Sequence, residues 1–228
     1  MQRIFDIVIS GLAIVFLSPL FLTVIFLLRF TGEGEVFFRG ERIGKKRKKF
    51  QILKFVTMLK DSPNIGTGTL TIGDDPRILP VGKYLRTWKI NELPQLLNVF
   101  MGHMSIVGPR PQSIRNFSAF TSDVQNFISM ERPGLTGVGS LFFRNEEDLL
   151  AGAEDPDQLY DNMIMPYKGE LELWYIENQS IILYIKLIWL TLLMVVFSKN
   201  IDLFLSIPNL PKPKLDLIDH LSKLKNRE

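Results

Sequence analysis

The chain has 228 residues, no cysteine, 46% hydrophobic residues and a formal net charge of +3. That length suits one ordinary domain plus a membrane element, and the lack of cysteine excludes a disulfide framework and a thiolate metal centre. The small net charge excludes a polyelectrolyte that would bind nucleic acid over its whole surface.

Hydrophobic residues gather at 4–28 and again at 181–197, while the middle reads as a soluble protein. Residues 4–28 carry a single charge, Asp6, and are long enough to cross a hydrocarbon core of roughly 30 Å. A cleaved leader is disfavoured: the basic start is Arg3 alone, and no small-x-small site follows. Ser18-Pro19 falls near the middle, where proline removes a backbone hydrogen bond and collides with the preceding turn. Arg29 and the run Lys45-Lys46-Arg47-Lys48-Lys49 place the C-terminal end on the cytoplasmic side. Arg3 and Asp6, at the other end, have no evident reason to cross. A helix that enters, breaks at Ser18-Pro19 and returns to the same face satisfies both observations. A kinked spanning helix is the other reading, since membrane helices tolerate proline.

Val36-Phe37-Phe38 and the stretch 50–55 flank a charged, glycine-containing connection, which predicts a β-hairpin over 36–56. The basic run 45–49 is then its tip, suited to anionic lipid headgroups at roughly 1 kcal/mol per residue. Residues 61–76 read as a flexible loop whose glycines, Gly66, Gly68 and Gly73, match neither a dinucleotide fingerprint nor a P-loop. Asn91-Glu92-Leu93-Pro94 reads as a helix start capped by Asn91. Leu93, Leu96, Leu97 and Phe100 form its apolar face, and Gly102 ends it. Gly108-Pro109-Arg110-Pro111 is a rigid turn presenting a cation. Residues 113–130 predict one amphipathic helix, 132–137 another turn, and 145–157 an acidic stretch. The run 181–197, interrupted by Lys186, is at the short edge for a span. Crossing would carry Lys212, Lys214, Lys223, Lys225 and Arg227 outside, so an in-plane or buried helix is the expectation.

Three cations, Arg86, Lys89 and Arg110, fall around Glu92 in the chain, beside a helix start with free amides. Arginine forks suit phosphate oxygens, and a carboxylate can hold Mg²⁺. Together they suggest phosphate-ester or diphosphate chemistry near a membrane. Singly, each has a plainer reading: Arg86 as a surface ion-pairing residue, Glu92 as a first-turn dipole partner.

The order and spacing of several motifs then carry a resemblance. They are Asp75-Pro76-Arg77, Arg86, Asn91 to Gln95, Gly102-x-Met104-Ser105, Val107 to Pro111 and Arg132 to Gly137, with the Ser18-Pro19 break ahead of them. Over about residues 1–200 the chain resembles the bacterial sugar transferase family of small monotopic phosphoglycosyl transferases. The resemblance implies an α+β, mainly helical fold: a re-entrant membrane helix at 1–30, a catalytic domain at 31–200 with an interfacial helix near 181–197, and a basic tail at 201–228. It implies transfer of a sugar phosphate from a nucleotide sugar, usually UDP-linked, to undecaprenyl phosphate, beginning a glycan such as an exopolysaccharide. The place would be the cytoplasmic face of a bacterial plasma membrane. Implied partners are membrane lipids, a second copy of the chain and downstream glycosyltransferases, with no nucleic acid. In such enzymes an Asp-Glu dyad works with Mg²⁺ through a covalent phosphosugar intermediate on the Asp. Glu92 matches the dyad's second member and the metal ligand, and Arg86 and Arg110 match the phosphate-binding arginines. Lys54, Arg132 and Arg144 follow as secondary substrate- or nucleotide-binding residues.

This chain departs from that pattern at three positions. Asn91 stands where the nucleophilic Asp is expected, His103 replaces the Asp of Gly-Asp-Met-Ser, and Val56 replaces an Arg after Lys54-Phe55. An amide cannot act as a carboxylate nucleophile. Another carboxylate then acts, Glu92 first and Asp74, Asp75 or Glu146 behind it; or the chain binds without turnover; or Asn91 is a laboratory substitution.

Overall fold

Ser18-Pro19 divides the N-terminal apolar segment into α1 (Gln2–Phe16) and α2 (Ser18–Phe30), bent by 61° in this computed structural model. Proline lacks the N–H that an interior position must donate, so it opens α2 rather than continuing α1. The structure describes residues 2–65, 71, 75–151, 153–195, 197 and 201–218. Asp74 and the loop glycines Gly66, Gly68 and Gly73 lie outside them. Among the described residues no single helix is long and apolar enough to cross a membrane, whereas the bent pair together is.

Both ends of the pair are anchored to the same body. Asp6 is buried, and its Oδ1 accepts from Ser105 Oγ, the Ile106 amide and Tyr184 OH, each at 2.9 Å. Gln2 Nε2 reaches Ser105 Oγ at 3.0 Å and the Val107 carbonyl at 3.1 Å. At the other end Val24 and Leu28 pack with Phe55 and Leu85. The outer faces, including Ile4, Leu12, Phe16, Leu22, Phe26 and Phe30, are exposed.

Next come β1 (Phe37–Ile43) and β2 (Lys49–Phe55), antiparallel with Phe37 opposite Phe55 and Ile43 opposite Lys49. Lys45–Arg47 make the tip, as the basic run predicts. The tip leans on the domain, with Lys46 N donating to Ser129 O at 2.5 Å and Arg47 5.8 Å over the Phe117 ring. Half of the loop 61–76 lies outside the described residues, and its described ends are held in place. Met58 bridges Ile78, and Arg77 is buried with Asp75 while also donating to the carbonyls of Ser62 and Ile65 at 2.8 Å. A buried guanidinium must spend its donors, and this one ties both ends of the loop together.

Helices α3 (Pro80–Thr87) and α4 (Gln95–Met101) follow, and Gly102 ends α4 in the left-handed region at φ 90°. Arg3 donates to the last carbonyls of α4, Val99 at 2.6 Å and Phe100 at 2.8 Å. Asn98 satisfies the open edge of β2, accepting from Leu53 N at 2.9 Å and donating to Gln51 O at 2.8 Å.

Two expectations fail in the next stretch. Residues 113–130 form α5 (Ile114–Ser118) and α6 (Ser122–Ile128), not one helix, because Thr121 caps a new start. The segment 132–137 holds a strand: β3 (Ser105–Val107) pairs in parallel with β4 (Gly134–Thr136). Glycine makes that pairing possible. A Cβ on Gly108 would lie 2.5 Å from the Arg132 carbonyl, and one on Gly134 would collide with the Gly108 backbone.

The C-terminal half is helical: α7 (Val138–Phe142), α8 (Glu146–Ala151), α9 (Pro156–Leu159), a π turn over Tyr160–Ile164, α10 (Met165–Glu177), α11 (Ile181–Val195) and α12 (Leu203–Ser206). Leu171 of α10 and Leu187 of α11 are among the most buried residues of the core, with Val99, Met104 and Val107. Helix α11 buries Leu183, Tyr184, Leu187, Leu190 and Met194 and exposes Ile182, Ile185, Trp189 and Leu192, so it lies half-buried along the domain. Its described part is too short to span. The C-terminal segment is no loose tail as far as residue 218. Leu203, Ile207, Leu210 and Leu217 enter the core, and Tyr167 OH donates to Pro211 O at 2.7 Å.

Replacing Asp6 by Ala strands its three donors in a dry contact. The unfolding free energy in detergent should fall by about 2–3 kcal/mol, and Asp6→Asn, which keeps an acceptor, should lose less.

Candidate active site

Helix α3 stops at Thr87, and the chain reverses through Lys89, which is left-handed at φ 54° and ψ 17°, into a 3₁₀ turn at Ile90–Glu92. Asn91 is therefore not the helix cap that its neighbours suggest. It is buried inside the turn, while α4 begins at Gln95 behind Pro94 with no side-chain cap. Its Oδ1 meets no hydrogen-bond donor among the described residues.

Glu92 projects into a ring of cations. Lys54 Nζ lies 2.7 Å and an Arg110 guanidinium nitrogen 3.3 Å from the same oxygen, Oε1. Burial alone would push this carboxyl up. Lys54 and Arg110, with Lys89 behind them, outweigh it and hold the group well below the usual carboxylate range. Glu92 thus stays ionised at neutral pH, with Oε2 left over by both cations. Lys54 and Lys89 are drawn below the ordinary lysine value by burial, opposed by Glu92.

Each cation comes from a different element. Lys54 stands on β2, Lys89 on the left-handed turn and Arg110 on the Gly108–Pro111 turn. That last turn is clamped by β4: Gly108 N donates to Thr136 O at 3.0 Å and Gly134 N to Pro109 O at 2.8 Å.

The other expected residues separate. Arg86 does not touch Glu92; it pairs with Glu147 of α8, and its Nε is buried without a partner. Arg132 donates through Nε to Gly102 O at 3.0 Å, beside Arg3 at the end of α4. Arg144 turns its guanidinium to the Met194 carbonyl of α11. Neither is brought to Glu92. Asp75 is committed to Arg77, and Glu146 to Lys168. Of the departures from the family pattern, His103 is exposed with its ring 6.0 Å from Phe50, and Val56 is buried apolar packing.

Two residues of α10 were missed. Glu172 is buried, and its Oε1 accepts the Arg110 backbone amide at 3.2 Å while Oε2 has no partner among the described residues. Lys168, one turn earlier, is buried between the rings of Phe143 at 5.2 Å and Tyr160 at 5.1 Å and pairs with Glu146. The available signal was an i, i+4 Lys–Glu pair among buried apolar neighbours of one helix, a place where ions are rarely left without a task.

Burial pushes Glu172 up to about 7, against the weaker pull of the Arg110 amide, Lys168 and Arg110's charge. A carboxyl raised in the folded state contributes stability that is full below the ordinary value and is lost as pH rises towards the folded one. Between pH 4.5 and about 7 the protein should lose roughly 3 kcal/mol from this group. Unfolding titrations at several pH values check it, and Glu172→Gln, which keeps an acceptor for Arg110, should flatten the slope.

Residues 1–198 match the family described as bacterial sugar transferase. The exopolysaccharide production protein ExoY of Sinorhizobium fredii is 38% identical over 159 residues, covering 64% of this chain and 70% of that protein. The UDP-glucose:undecaprenyl-phosphate glucose-1-phosphate transferase of Klebsiella pneumoniae is 32% identical over 195 residues, 83% of this chain. The undecaprenyl-phosphate glucose phosphotransferase of Komagataeibacter xylinus is 32% identical over 204 residues, 87% of this chain. The match spans 39% and 36% of the length of those two transferases. By its match over nearly its whole length, the chain belongs to the bacterial sugar transferase family, a family of enzymes.

Proposed function

We propose that the chain transfers a sugar 1-phosphate from a UDP-sugar to undecaprenyl phosphate at the cytoplasmic face of a bacterial plasma membrane. The observation that carries this reading is Glu92, an ionised carboxylate with one free oxygen inside a cradle of Lys54, Arg110 and Lys89. Such a cradle neutralises phosphate charge as it shifts between oxygens. The relatives' names supply the donor and acceptor classes.

The bent helix pair supports the membrane side of the reading. Asp6 and Leu28, near its two ends, both dock on the body that carries Glu92. A helix that enters and leaves by one face accounts for that, with Ser18-Pro19 at its deepest point, and it sets Glu92 at the height of a lipid phosphate.

Asn91 lacks an anionic oxygen, and in this reading Glu92 is the reacting carboxylate. Its Oε2 forms a bond to the phosphorus that bears the sugar, and the bond from that phosphorus to the bridging oxygen breaks. UMP departs with the bonding pair. An oxygen of undecaprenyl phosphate then attacks the same phosphorus, and the carboxylate leaves, restored. Mg²⁺ fits the residues present. Asn91 Oδ1, buried without a donor, and the Glu92 carboxylate would hold it, in keeping with an ion that binds one or two protein oxygens and completes its shell with substrate phosphates and water. When bound it supplies charge neutralisation on the diphosphate.

The amide at 91 favours a second reading, a member that binds nucleotide sugar without turning it over. UMP release from a UDP-sugar panel, with undecaprenyl phosphate and Mg²⁺, separates the two. Turnover by the wild-type chain that falls on the order of 10³-fold in Glu92→Gln supports the transferase with Glu92 as nucleophile. An inert wild type that gains release in Asn91→Asp establishes the binding protein.

A further inference from the structure

Lys89 occupies the position one past the cap of α3 in the left-handed conformation, φ 54°. Glycine is the usual residue there, because a Cβ in that conformation crowds the following carbonyl. Among the described residues the other non-glycine positions with positive φ are Lys46 and Arg47 in the hairpin tip and Asn209 near the C-terminus. Lys89 differs in standing two residues from Asn91 and three from Glu92, inside the site. Backbone strain of that kind persists only where the surrounding structure over-determines it, and it clusters at active sites and ligand clamps.

The contacts of its ammonium identify the task. Lys54 and Arg110 share Glu92, and Arg86, farther off, is on Glu147; Arg42, also in the field of Glu92, donates to the Glu41 carbonyl. Among the described residues Lys89 has no carboxylate partner. Its Nζ makes one contact, to the Arg144 carbonyl at 3.3 Å, long for a hydrogen bond. An ammonium carries three donors, so most of its capacity is unspent. It lies within the field of Glu92, Arg110, Glu147 and Arg86. A half-buried cation with unspent donors, on a strained backbone beside an ionised carboxylate, is arranged for an anion that arrives from outside.

We propose that Lys89 is a phosphate-binding residue of this site, its ammonium donating to a non-bridging oxygen of the incoming substrate while Lys54 and Arg110 remain on Glu92. The inference rests on the transferase reading and adds a residue that the family pattern does not supply. The phosphate could come from the nucleotide donor or from the lipid acceptor. Both present the same non-bridging oxygens, and separate titrations tell them apart.

The decisive variant is Lys89→Gly, which relieves the backbone and removes the ammonium in one change; Lys89→Arg keeps the charge. UMP and UDP-glucose would be titrated calorimetrically into full-length protein in detergent, a short-chain polyprenyl phosphate in a second series, and the thermal midpoint recorded for each variant. The expected result for Lys89→Gly is an equal or higher midpoint with about ten-fold weaker binding in one series, and near wild-type binding for Lys89→Arg. Weakening confined to UMP and UDP-glucose assigns the donor phosphate; weakening confined to the polyprenyl phosphate assigns the acceptor. A lower midpoint with both affinities unchanged would make Lys89 a brace for the Arg144 carbonyl and overturn the proposal. A wild-type chain that binds none of these ligands would overturn the transferase reading along with it, whereas wild-type binding retained in Lys89→Gly removes the role of Lys89 alone.

Discussion

Much of this architecture depends on one carboxylate placed where a carboxylate is costly. Asp6 sits in an otherwise apolar helix, and an unpaired charge there would be expelled from any apolar surroundings. Its three donors come from β3 and α11, elements 99 to 178 residues away in the chain. The helix can satisfy Asp6 only by lying against the domain in one register. Hydrophobic contacts are tolerant of sliding; hydrogen bonds to a single oxygen are not. That register fixes where α1 leaves the domain, and the bend at Ser18-Pro19 then brings α2 back to Phe55 and Leu85. The apolar pair is thereby attached near both ends to the body that carries Glu92.

Around Glu92 the charges are layered. Lys54 and Arg110 touch it, and Glu172 secures Arg110 through the backbone. Lys168 and Glu146 neutralise one another just beyond, with aromatic faces on the ammonium. Arg110 is thus held from behind, through its backbone amide, by Glu172, while Lys54 is held by Glu92 itself. Donors fixed before a reaction begins are the condition under which electrostatic stabilisation is most effective.

How far the sequence foretold this depends on the range of each signal. The hairpin was legible because two aromatic runs flank a glycine-containing charged connection, and the bend because proline acts on its own neighbours. Gly102 announced the end of α4 for the same local reason. Asn91 misled because residues that cap helices are also those that tolerate tight turns, and only the packing decides between them. The split at 119–121 was hidden because the apolar period runs through it from Phe117 to Val124. Pairing of β3 with β4 could not be read at all, since three-residue strands carry no periodicity and their glycines look like turn signals. The Arg86–Glu147 pair joins residues 61 apart, beyond the reach of any motif. The family resemblance located Glu92 and Arg110; which cations would actually meet at Glu92 came from the fold.

The π turn at Tyr160–Ile164 governs the phase of everything after it. A regular α-helix advances about 100° per residue, so positions eight apart would point roughly 80° away from each other. A wider turn unwinds the helix by several tens of degrees. It brings Lys168 round to the side of Tyr160, where the ammonium lies 5.1 Å from the ring. Glu172 follows one turn later and so inherits the angle that lets it meet the Arg110 amide. The helix behaves like a key whose bit was cut by an inserted residue: deleting one residue from the turn would leave a better helix and rotate both polar side chains away from the lock.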